Sequence, residues 1–287
     1  MKLRFPKQAL VPRPPAFAAT AGLTLIEIMV AVTLLAVIMT GLFAAFITAQ
    51  RALTYASSQT DVLEGGRSTS SLIVRGLQEL AASQQEGAVN TWATTPAGGL
   101  TMPRTDGSLQ TNILQDFFFL TRQNDLWTGV GYFITVRTSG VGSQSEGMGS
   151  LYRYVNHATN TPGLDLRGLY GDFLINGVPD NPNSGHVADG IVHLAVKAFD
   201  ARGEPFVPAD STNNITIWDN APGWGFAFTN QMLPAFIDLE LGMVDPKVYR
   251  QFAAMAAPIA RRDYLLKQVG KVYLFRQRIP ILNHHEP

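Results

Sequence analysis

The longest apolar pattern in the chain covers residues 28–47, which are twenty consecutive uncharged and mainly apolar residues. A single acid, Glu27, separates this run from the apolar residues that begin at Leu23. As an α-helix, residues 23–47 would be roughly 38 Å long and would exceed the ~30 Å hydrocarbon core of a bilayer. The pattern therefore predicts a membrane-spanning helix over residues 23–48. A carboxylate within such a helix costs roughly 2.5–3.5 kcal/mol, which suggests that Glu27 has a function.

Residues 49–83 keep a helical pattern but become amphipathic. Apolar residues recur at spacings of three and four around Ile73, Leu77 and Leu80, so that they share one face. Gly65 and Gly66 are the place where a break in the helix is expected. We therefore expect the membrane helix to continue as an amphipathic helix with one side against a globular head.

The pattern changes to that of β-strands after residue 116, with segments rich in aromatic and β-branched residues. The predicted strands are Phe117–Arg122, Val130–Thr138, Leu151–Asn156, Ile191–Asp200, Ile215–Asp219, Ala235–Met243 and Lys271–Leu282. Residues 84–116, 138–150 and 176–190 are predicted to be irregular or loops. Asp245 and Pro246 are predicted to start a second helix that runs to about Gln268 with a break at Pro258. The fold class expected is α+β, with a long N-terminal helix packed on an antiparallel sheet in one head.

The distribution of charge orients the predicted membrane helix. Residues 1–22 contain four basic residues and no acid, whereas the remainder has 18 basic and 22 acidic residues. Basic residues before a span favour a cytoplasmic N-terminus, with the C-terminal part of the chain across the membrane. This charge balance gives no support to nucleic-acid binding. The chain has no cysteine, which excludes disulfides and thiolate metal sites.

Three interpretations of the N-terminal segment compete. A secretory signal peptide has a shorter apolar stretch with its small residues after that stretch, whereas here the small residues 16–22 precede it. A plain signal anchor fits the length but leaves Glu27 unexplained. A prepilin is the third interpretation.

The sequence GLTLIEIMVAVTLLAVI at residues 22–38 resembles the signature of type IV prepilins. The resemblance implies cleavage between Gly22 and Leu23 by prepilin peptidase, N-methylation of Leu23, and a role in filament assembly for Glu27, the fifth residue of the mature chain. Glycine lets a protease approach the backbone closely. Glu27 would lie about one turn from the new amine and could pair with the Leu23 ammonium of a neighbouring subunit.

A second resemblance, over residues 189–203 and 233–241, is to the J-type minor pseudopilins of type II secretion and the PilW-type minor pilins. The two resemblances imply a pilin-like fold with a leader at residues 1–22, a transmembrane or filament-core helix at 23–48 and a periplasmic head at 49–287. They imply a single-pass protein of the bacterial inner membrane that assembles into a pseudopilus or pilus. The implied partners are other pilins or pseudopilins, prepilin peptidase and the assembly platform.

The rest of the sequence gives few indications of chemistry. His157 and His193 are expected to be structural or surface residues, and His284 and His285 to lie in a terminal tail. Asp180, Asn181, Asn183 and Asp189 carry oxygen ligands that calcium could use, but their spacing is equally typical of turns. The chain has neither a phosphate-binding loop with Gly-Lys-Ser/Thr nor a G-x-S-x-G motif. The sequence therefore predicts no enzyme activity, cofactor or metal.

A group of aromatic residues is the basis of an alternative functional hypothesis. Trp218, Trp224, Phe226 and Phe228 flank Pro222 and Gly223. Such residues form either a packed core or a partner-binding edge. On the second interpretation, the protein is a membrane-anchored periplasmic binding module or hydrolase that acts on a sugar or polymer.

Overall fold

A computed structural model of the chain describes residues 24–95, 101–103, 109–138, 145–159, 164–220, 223–268 and 271–282. The fold is α+β. The helices are α1 (Leu25–Gln78), α2 (Arg167–Asn176), α3 (Pro246–Ala254) and α4 (Pro258–Leu266). The strands are β1 (Val89–Thr94), β2 (Thr101–Pro103), β3 (Leu109–Thr111), β4 (Asp116–Gln123), β5 (Leu126–Thr138), β6 (Ser145–Thr159), β7 (Ser184–Phe199), β8 (Ile215–Asn220), β9 (Gly223–Thr229), β10 (Phe236–Val244) and β11 (Val272–Pro280).

The strands form one large sheet and one small sheet. The large sheet has nine strands in the order β11-β10-β7-β6-β5-β4-β1-β9-β8, and all its strand pairs are antiparallel. β2 and β3 form a separate two-stranded sheet. The chain divides into two structural units, of which the first ends at Thr54 and the second begins at Tyr55. The large sheet and the C-terminal part of α1 therefore belong to the second unit.

One face of the large sheet packs against α1. Ile73 and Leu77 of α1 are buried in a cluster with aromatic and aliphatic residues of the sheet, as the helical spacing predicts, and Val62 belongs to the same cluster. The sheet contributes Phe117, Phe119, Tyr132, Leu151, Val196, Ile237, Leu239, Leu241 and Ile279 to this cluster, among others. The hydroxyl of Ser58 donates to the carboxylate of Asp245 and connects α1 to the first turn of α3. The amphipathic half of α1 is thus an integral part of the core.

The opposite face of the sheet is covered by the shorter helices. Leu169 and Phe173 of α2 pack on Phe118, Leu120 and Phe133. α3 and α4 bury Val248, Phe252 and Leu265 against Met148, Val192 and Val244 in a further cluster. β4 is therefore covered on both faces, which explains why residues 117–120 are continuously apolar and do not alternate.

Three sequence predictions about the C-terminal half are confirmed. Ile237, Leu239 and Leu241 of β10 are buried, and the intervening residues are less so, as the alternating pattern predicts. Asp245 caps α3: its Oδ1 accepts a hydrogen bond from the Lys247 N–H at 2.7 Å. Pro258 begins α4, so the second helix is broken where the sequence predicts.

The predicted interruption at Gly65 and Gly66 is wrong, because α1 continues through both residues. The two glycines have different surroundings. A Cβ atom added at Gly66 would lie 2.0 Å from Cε2 of Phe275 in β11, whereas no atom lies within 4 Å of a Cβ at Gly65. Gly66 therefore provides the space in which the Phe275 ring lies against the helix.

The region 84–116, predicted to be irregular, contains β1, β2 and β3. Polar residues within β1 hide its strand pattern. The side chain of Asn90 is fully buried: its Oδ1 accepts from the Ser83 N–H at 2.8 Å, and its Nδ2 donates to the carbonyls of Asn230 and Met232. From the sequence alone an asparagine indicates a loop, because the distant backbone groups that it satisfies in the fold are not visible there.

Other loop predictions are partly wrong. Residues 145–150 belong to β6 and residues 184–190 to β7, and the remainder of the loop at 139–144 lies outside the described residues. The sequence also missed β9 and α2. Gly168 and Gly171 within α2, and Gly225 within β9, weaken the local patterns by which helices and strands are recognised.

The two adjacent glycines of α1 provide a matched pair of mutations. We expect Gly66→Ala to destabilise the head by about 1–3 kcal/mol, because the new methyl group would displace the Phe275 ring. Gly65→Ala should be neutral or stabilise by up to about 1 kcal/mol, because it only raises helix propensity. Urea denaturation of the purified protein measures both. Equal effects of the two substitutions would contradict the described packing.

Asp116, the first residue of β4, gives a prediction of pH dependence. Burial raises the pKa of its carboxyl to about 7, although its Oδ1 accepts a hydrogen bond from the Ile134 N–H at 3.0 Å. The unfolded chain has an aspartate pKa of about 3.9. The folded state therefore binds more protons between those values, and this group makes the fold less stable as the pH rises from about 4 to about 7.

We expect Asp116→Asn to remove this pH dependence, because asparagine retains an acceptor for Ile134 and cannot ionise. At pH 8 the variant should be more stable than the natural chain by about 1 kcal/mol or more, and the difference should shrink towards pH 4. Denaturation midpoints across that range measure the effect. Asp125→Asn, at an exposed turn, is the control; a pH-independent difference for Asp116→Asn would contradict the assignment.

Candidate membrane and assembly segment

The N-terminal part of α1 is apolar and exposed. Within the described residues, α1 is the one helix long and apolar enough to cross a membrane. No residue of its most apolar 18-residue stretch is buried. Leu25 and Phe43, for example, are 78% and 67% exposed. An apolar surface of this extent is typical of a segment that lies in lipid or against other chains.

The hydroxyl groups in this segment are satisfied by the helix itself. Thr33 donates to the Val30 carbonyl at 2.9 Å, Thr40 to Ala36 at 2.7 Å and Thr48 to Ala44 at 2.9 Å. Such bonds remove the need for water or a partner at these positions. The helix can therefore lie in an apolar environment without an unsatisfied hydroxyl at these residues.

Thr24 and Glu27 form a reciprocal cap at the start of α1. The Glu27 N–H donates to Oγ1 of Thr24 at 3.3 Å, and the Thr24 N–H donates to Oε2 of Glu27 at 2.9 Å. The Thr24 hydroxyl also donates to Oε2 at 2.9 Å. This is the capping-box arrangement, in which two backbone N–H groups that lack helical partners are satisfied. Glu27 also places a negative charge in the first turn, where the helix dipole favours it.

Thr24 is a helix-capping residue that the sequence analysis does not single out, although the spacing T-x-x-E is present at residues 24–27. The cap gives Glu27 a local structural role that is separate from pairing with a neighbouring ammonium. Both described side-chain bonds use Oε2, and a carboxylate has acceptor sites on both oxygens. Capping and pairing with a second group are therefore chemically compatible.

The other two residues of the predicted site, Gly22 and Leu23, lie outside the described residues. Of the predicted cleavage, methylation and assembly residues, the structure thus describes Glu27 alone. Gly41 lies within the continuous helix, and among the described residues no atom beyond the adjoining helix backbone comes within 4 Å of a Cβ placed there. Close packing at Gly41 would consequently involve another chain.

A cluster of Ser150, His186 and Asp189 in the second unit resembles a hydrolytic triad in composition but not in order. Oδ1 of Asp189 accepts from the Ser150 hydroxyl at 2.6 Å and lies 2.9 Å from Nε2 of His186. The aspartate therefore lies between the serine and the histidine. Activation of a serine requires the histidine between the serine and the acid, so this geometry does not support nucleophilic catalysis.

The predicted structural role of His193 is confirmed. Its Nδ1 accepts from the Ile113 N–H at 3.1 Å, so that Nε2 carries the proton and donates to Glu240 at 3.2 Å. This hydrogen bond, together with the nearby charges of Lys197 and Arg276, lowers the pKa of Glu240 to about 2 despite partial burial. His157 lies beside the Thr128 hydroxyl at 2.9 Å, and His284 and His285 lie outside the described residues.

The loop that could supply calcium ligands contains local turn bonds. Oδ1 of Asn181 accepts from the Asn183 N–H at 2.8 Å, while Asp189 belongs to the serine–histidine cluster. Among the described residues, no group of three or more histidine, aspartate or glutamate side chains is placed to hold a metal ion.

The aromatic residues near Gly223 do not share one surface. Phe226 and Phe228 are fully buried in the core, and Trp224 packs edge-on against Phe226 with ring centroids 5.4 Å apart. The Trp218 indole instead covers the backbone of Gly225, where an added Cβ would lie 2.2 Å from the ring. Because residue 225 faces the side of β9 opposite to residues 224 and 226, the tryptophans lie on opposite faces of the sheet.

In comparisons with known proteins, no protein-family model, curated protein or solved structure matches this chain. Functional inference therefore depends on the chain's own motif and geometry.

Proposed function

We propose that this chain is a minor pilin or minor pseudopilin subunit that is cleaved after Gly22, methylated at Leu23 and assembled through its N-terminal helix. The observation that carries the proposal is the motif GLTLIE at residues 22–27, directly followed by an exposed apolar helix. A simple membrane anchor needs the apolar helix but not the negative charge of the glutamate, because a neutral glutamine would complete the cap equally well. A subunit that leaves the membrane to join a filament needs both.

The division of α1 supports this proposal. Its apolar part suits residence first in lipid and then in a filament core, because both surroundings are apolar. Its C-terminal part packs on the sheet through Val62, Ile73 and Leu77 and belongs to the head. A single helix thus has both a membrane-compatible segment and a segment built into a folded head, as a filament subunit of this type requires.

Glu27 is proposed to have two successive roles. Before assembly, it caps α1 with Thr24 and thereby satisfies part of its own hydrogen-bonding capacity. During assembly, the charge of Glu27 pairs with the methylated Leu23 ammonium of a neighbouring subunit. The high cost of leaving either charge alone in an apolar environment favours this pairing.

The proposed location follows from the basic leader. The leader stays in the cytoplasm, α1 crosses the bacterial inner membrane once, and the head folds in the periplasm. The proposed partners are prepilin peptidase, other pilins or pseudopilins and the assembly platform. A head of more than 200 residues is hard to repeat along a thin filament, which favours a minor subunit or a subunit at the tip.

Mass spectrometry of the N-terminus tests the proposed processing. We expect protein isolated from its native host to begin at Leu23 and to carry one added methyl group. The same measurement on a Gly22→Val variant should show the complete leader, because a side chain at this position blocks close approach of the peptidase. An intact Met1 in the natural chain would contradict the proposal and favour a permanently anchored binding module or hydrolase.

Three substitutions separate the two roles of Glu27. Glu27→Gln removes the charge and keeps a side chain that can complete the capping box. Thr24→Val removes the capping hydroxyl and keeps the charge. Glu27→Ala removes both contributions of Glu27, and we expect cleavage at Gly22 to persist in all three variants.

Assembly should fall by at least about tenfold in both Glu27 variants, because breaking a buried ion pair costs roughly 3–5 kcal/mol. Thr24→Val should assemble nearly normally, because loss of a cap costs about 1 kcal/mol. Cross-linking of membranes and sheared filament fractions, followed by immunoblotting, gives the assembled fraction. Normal assembly of Glu27→Gln would show that Glu27 acts through capping and would remove ion pairing from the account.

A further inference from the structure

The charges of the second structural unit are strongly segregated along the sequence. Residues 245–282 contain eight basic and two acidic residues, a net charge of +6. Residues 55–244 contain nine basic and eighteen acidic residues, a net charge of −9. The C-terminal segment of the head is thus a basic part of an otherwise acidic domain.

The start of this basic segment, and the start of β11 within it, lie at the end of the second unit where the chain enters it. Ser58, in the first turn of that unit, donates to Asp245 at the start of α3. Tyr55 lies beside Tyr273, the second residue of β11. The opposite end of the helix lies elsewhere in the sheet, since Leu80 pairs with Thr121 of β4. The starts of α3 and β11 are therefore adjacent to the first residues of the unit, whereas Arg276 and Arg278 lie farther along β11.

Four exposed cations at this end form what we call the basic pole: Lys247 and Arg250 on α3, Lys267 after α4, and Lys271 before β11. Val272 pairs with Val244, which brings the start of β11 next to the start of α3. Two exposed acids, Asp61 on α1 and Asp263 on α4, offset part of this charge, so that the exposed groups carry a net charge of about +2. Arg261 is excluded because it is buried, with Nε donating to the Met255 carbonyl at 2.6 Å.

We propose that the basic pole binds anionic phospholipid headgroups of the membrane that anchors α1. Only residues 48–54 separate the end of the apolar run from Tyr55. Even fully extended, that stretch spans roughly 28 Å from residue 47 to residue 55, so the tether keeps Tyr55 within that distance of the end of the apolar run. Each lysine or arginine near an anionic surface contributes about 1 kcal/mol.

The tether favours a lipid surface over a soluble acidic protein as the occupant. A tethered surface is present at high effective concentration without any separate encounter. Docking would hold the head of an unassembled subunit against the bilayer and would be lost when the helix is extracted. The inference rests on the membrane anchoring in the proposed function but does not require filament assembly. The cross-linking assay of the Glu27 variants tests assembly, and the experiment below tests lipid binding, so either can fail while the other succeeds.

The chain provides its own control for a lysine footprinting test. After residue 22, its lysines are Lys197, Lys247, Lys267 and Lys271. Lys197 lies on β7, six residues beyond Ile191, which pairs with Met243 near the basic pole. It remains 41% exposed beside Glu240. Lys197 thus reports solvent access away from the pole in the same molecule.

We would reconstitute the full chain in nanodiscs of phosphatidylcholine alone or with about 30% phosphatidylglycerol. Lysine amidination rates would then be measured by mass spectrometry. The rate of each of the three pole lysines is divided by the rate of Lys197 in the same sample. With phosphatidylglycerol present, this ratio should be at least about threefold lower than in phosphatidylcholine alone. About 0.5 M sodium chloride should abolish the difference, because salt screens exposed charges. Equal rates in the two lipid compositions would overturn the proposal.

Charge-reversed variants test the location of the effect. The double variant Lys247→Glu with Arg250→Glu should make Lys267 and Lys271 insensitive to phosphatidylglycerol. The control is Arg67→Glu with Arg75→Glu, two exposed residues of α1 with the same change in net charge, which should retain the lipid dependence. Equal loss in the control would show a non-specific charge effect. Protection that rises with the number of protein copies per disc, and not with phosphatidylglycerol, would identify a protein neighbour and overturn lipid docking.

Discussion

The central physical constraint on this protein is an apolar helical surface that is left exposed by the described residues of its own structural unit. The side chains of the N-terminal half of α1 are exposed, and its threonine hydroxyls are satisfied by the helix backbone. Water is an unfavourable environment for this surface, and lipid or another apolar helix is a favourable one. Membrane residence and helix–helix assembly are two solutions to the same constraint, which is why one segment can serve both.

Glu27 departs from this apolar pattern and makes the segment informative. Within the chain, its carboxylate completes the N-terminal cap with Thr24. The cap accounts for the position of the glutamate in the first turn, but it would be served equally well by a neutral glutamine. The proposed ion pair with a neighbouring amine accounts for the charge. The cap requires only a hydrogen-bond acceptor at residue 27, whereas the ion pair requires a negative charge there. The two explanations can therefore be distinguished.

The head was predictable from the sequence where one face of an element is buried and the other is not. β10, with Ile237, Leu239 and Leu241 inside, and α1, with Ile73 and Leu77 inside, follow the expected periods. β1 was missed because the buried Asn90 serves backbone groups of distant segments, a role that no local pattern reveals. Gly65 and Gly66 were misread because only the fold shows that Phe275 occupies the space beside Gly66.

The structure describes only part of the predicted cleavage and assembly site. Its chemistry was read from residues 22–27, of which the structure describes Thr24 to Glu27. The geometry added Thr24 as the capping partner of Glu27. It also showed that His193 is a structural residue and that the tryptophans lie on opposite faces of the sheet. What a neighbouring subunit contributes lies outside a single chain, so sequence and fold can specify the surface but not its occupant.

Single-cysteine cross-linking within α1 is the most direct test of the account, because the natural chain contains no cysteine. A cysteine in place of Gly41, which no side chain in the described part of the chain approaches within 4 Å, would be oxidised in membranes of the native host. The account predicts cross-linked species formed by the processed chain with cysteines placed in the corresponding helix of a neighbouring copy or a co-expressed pilin-like subunit. These species should disappear when Glu27→Gln is added. Cross-linking that is unaffected by Glu27→Gln, or a chain that remains monomeric with its leader attached, would contradict the account.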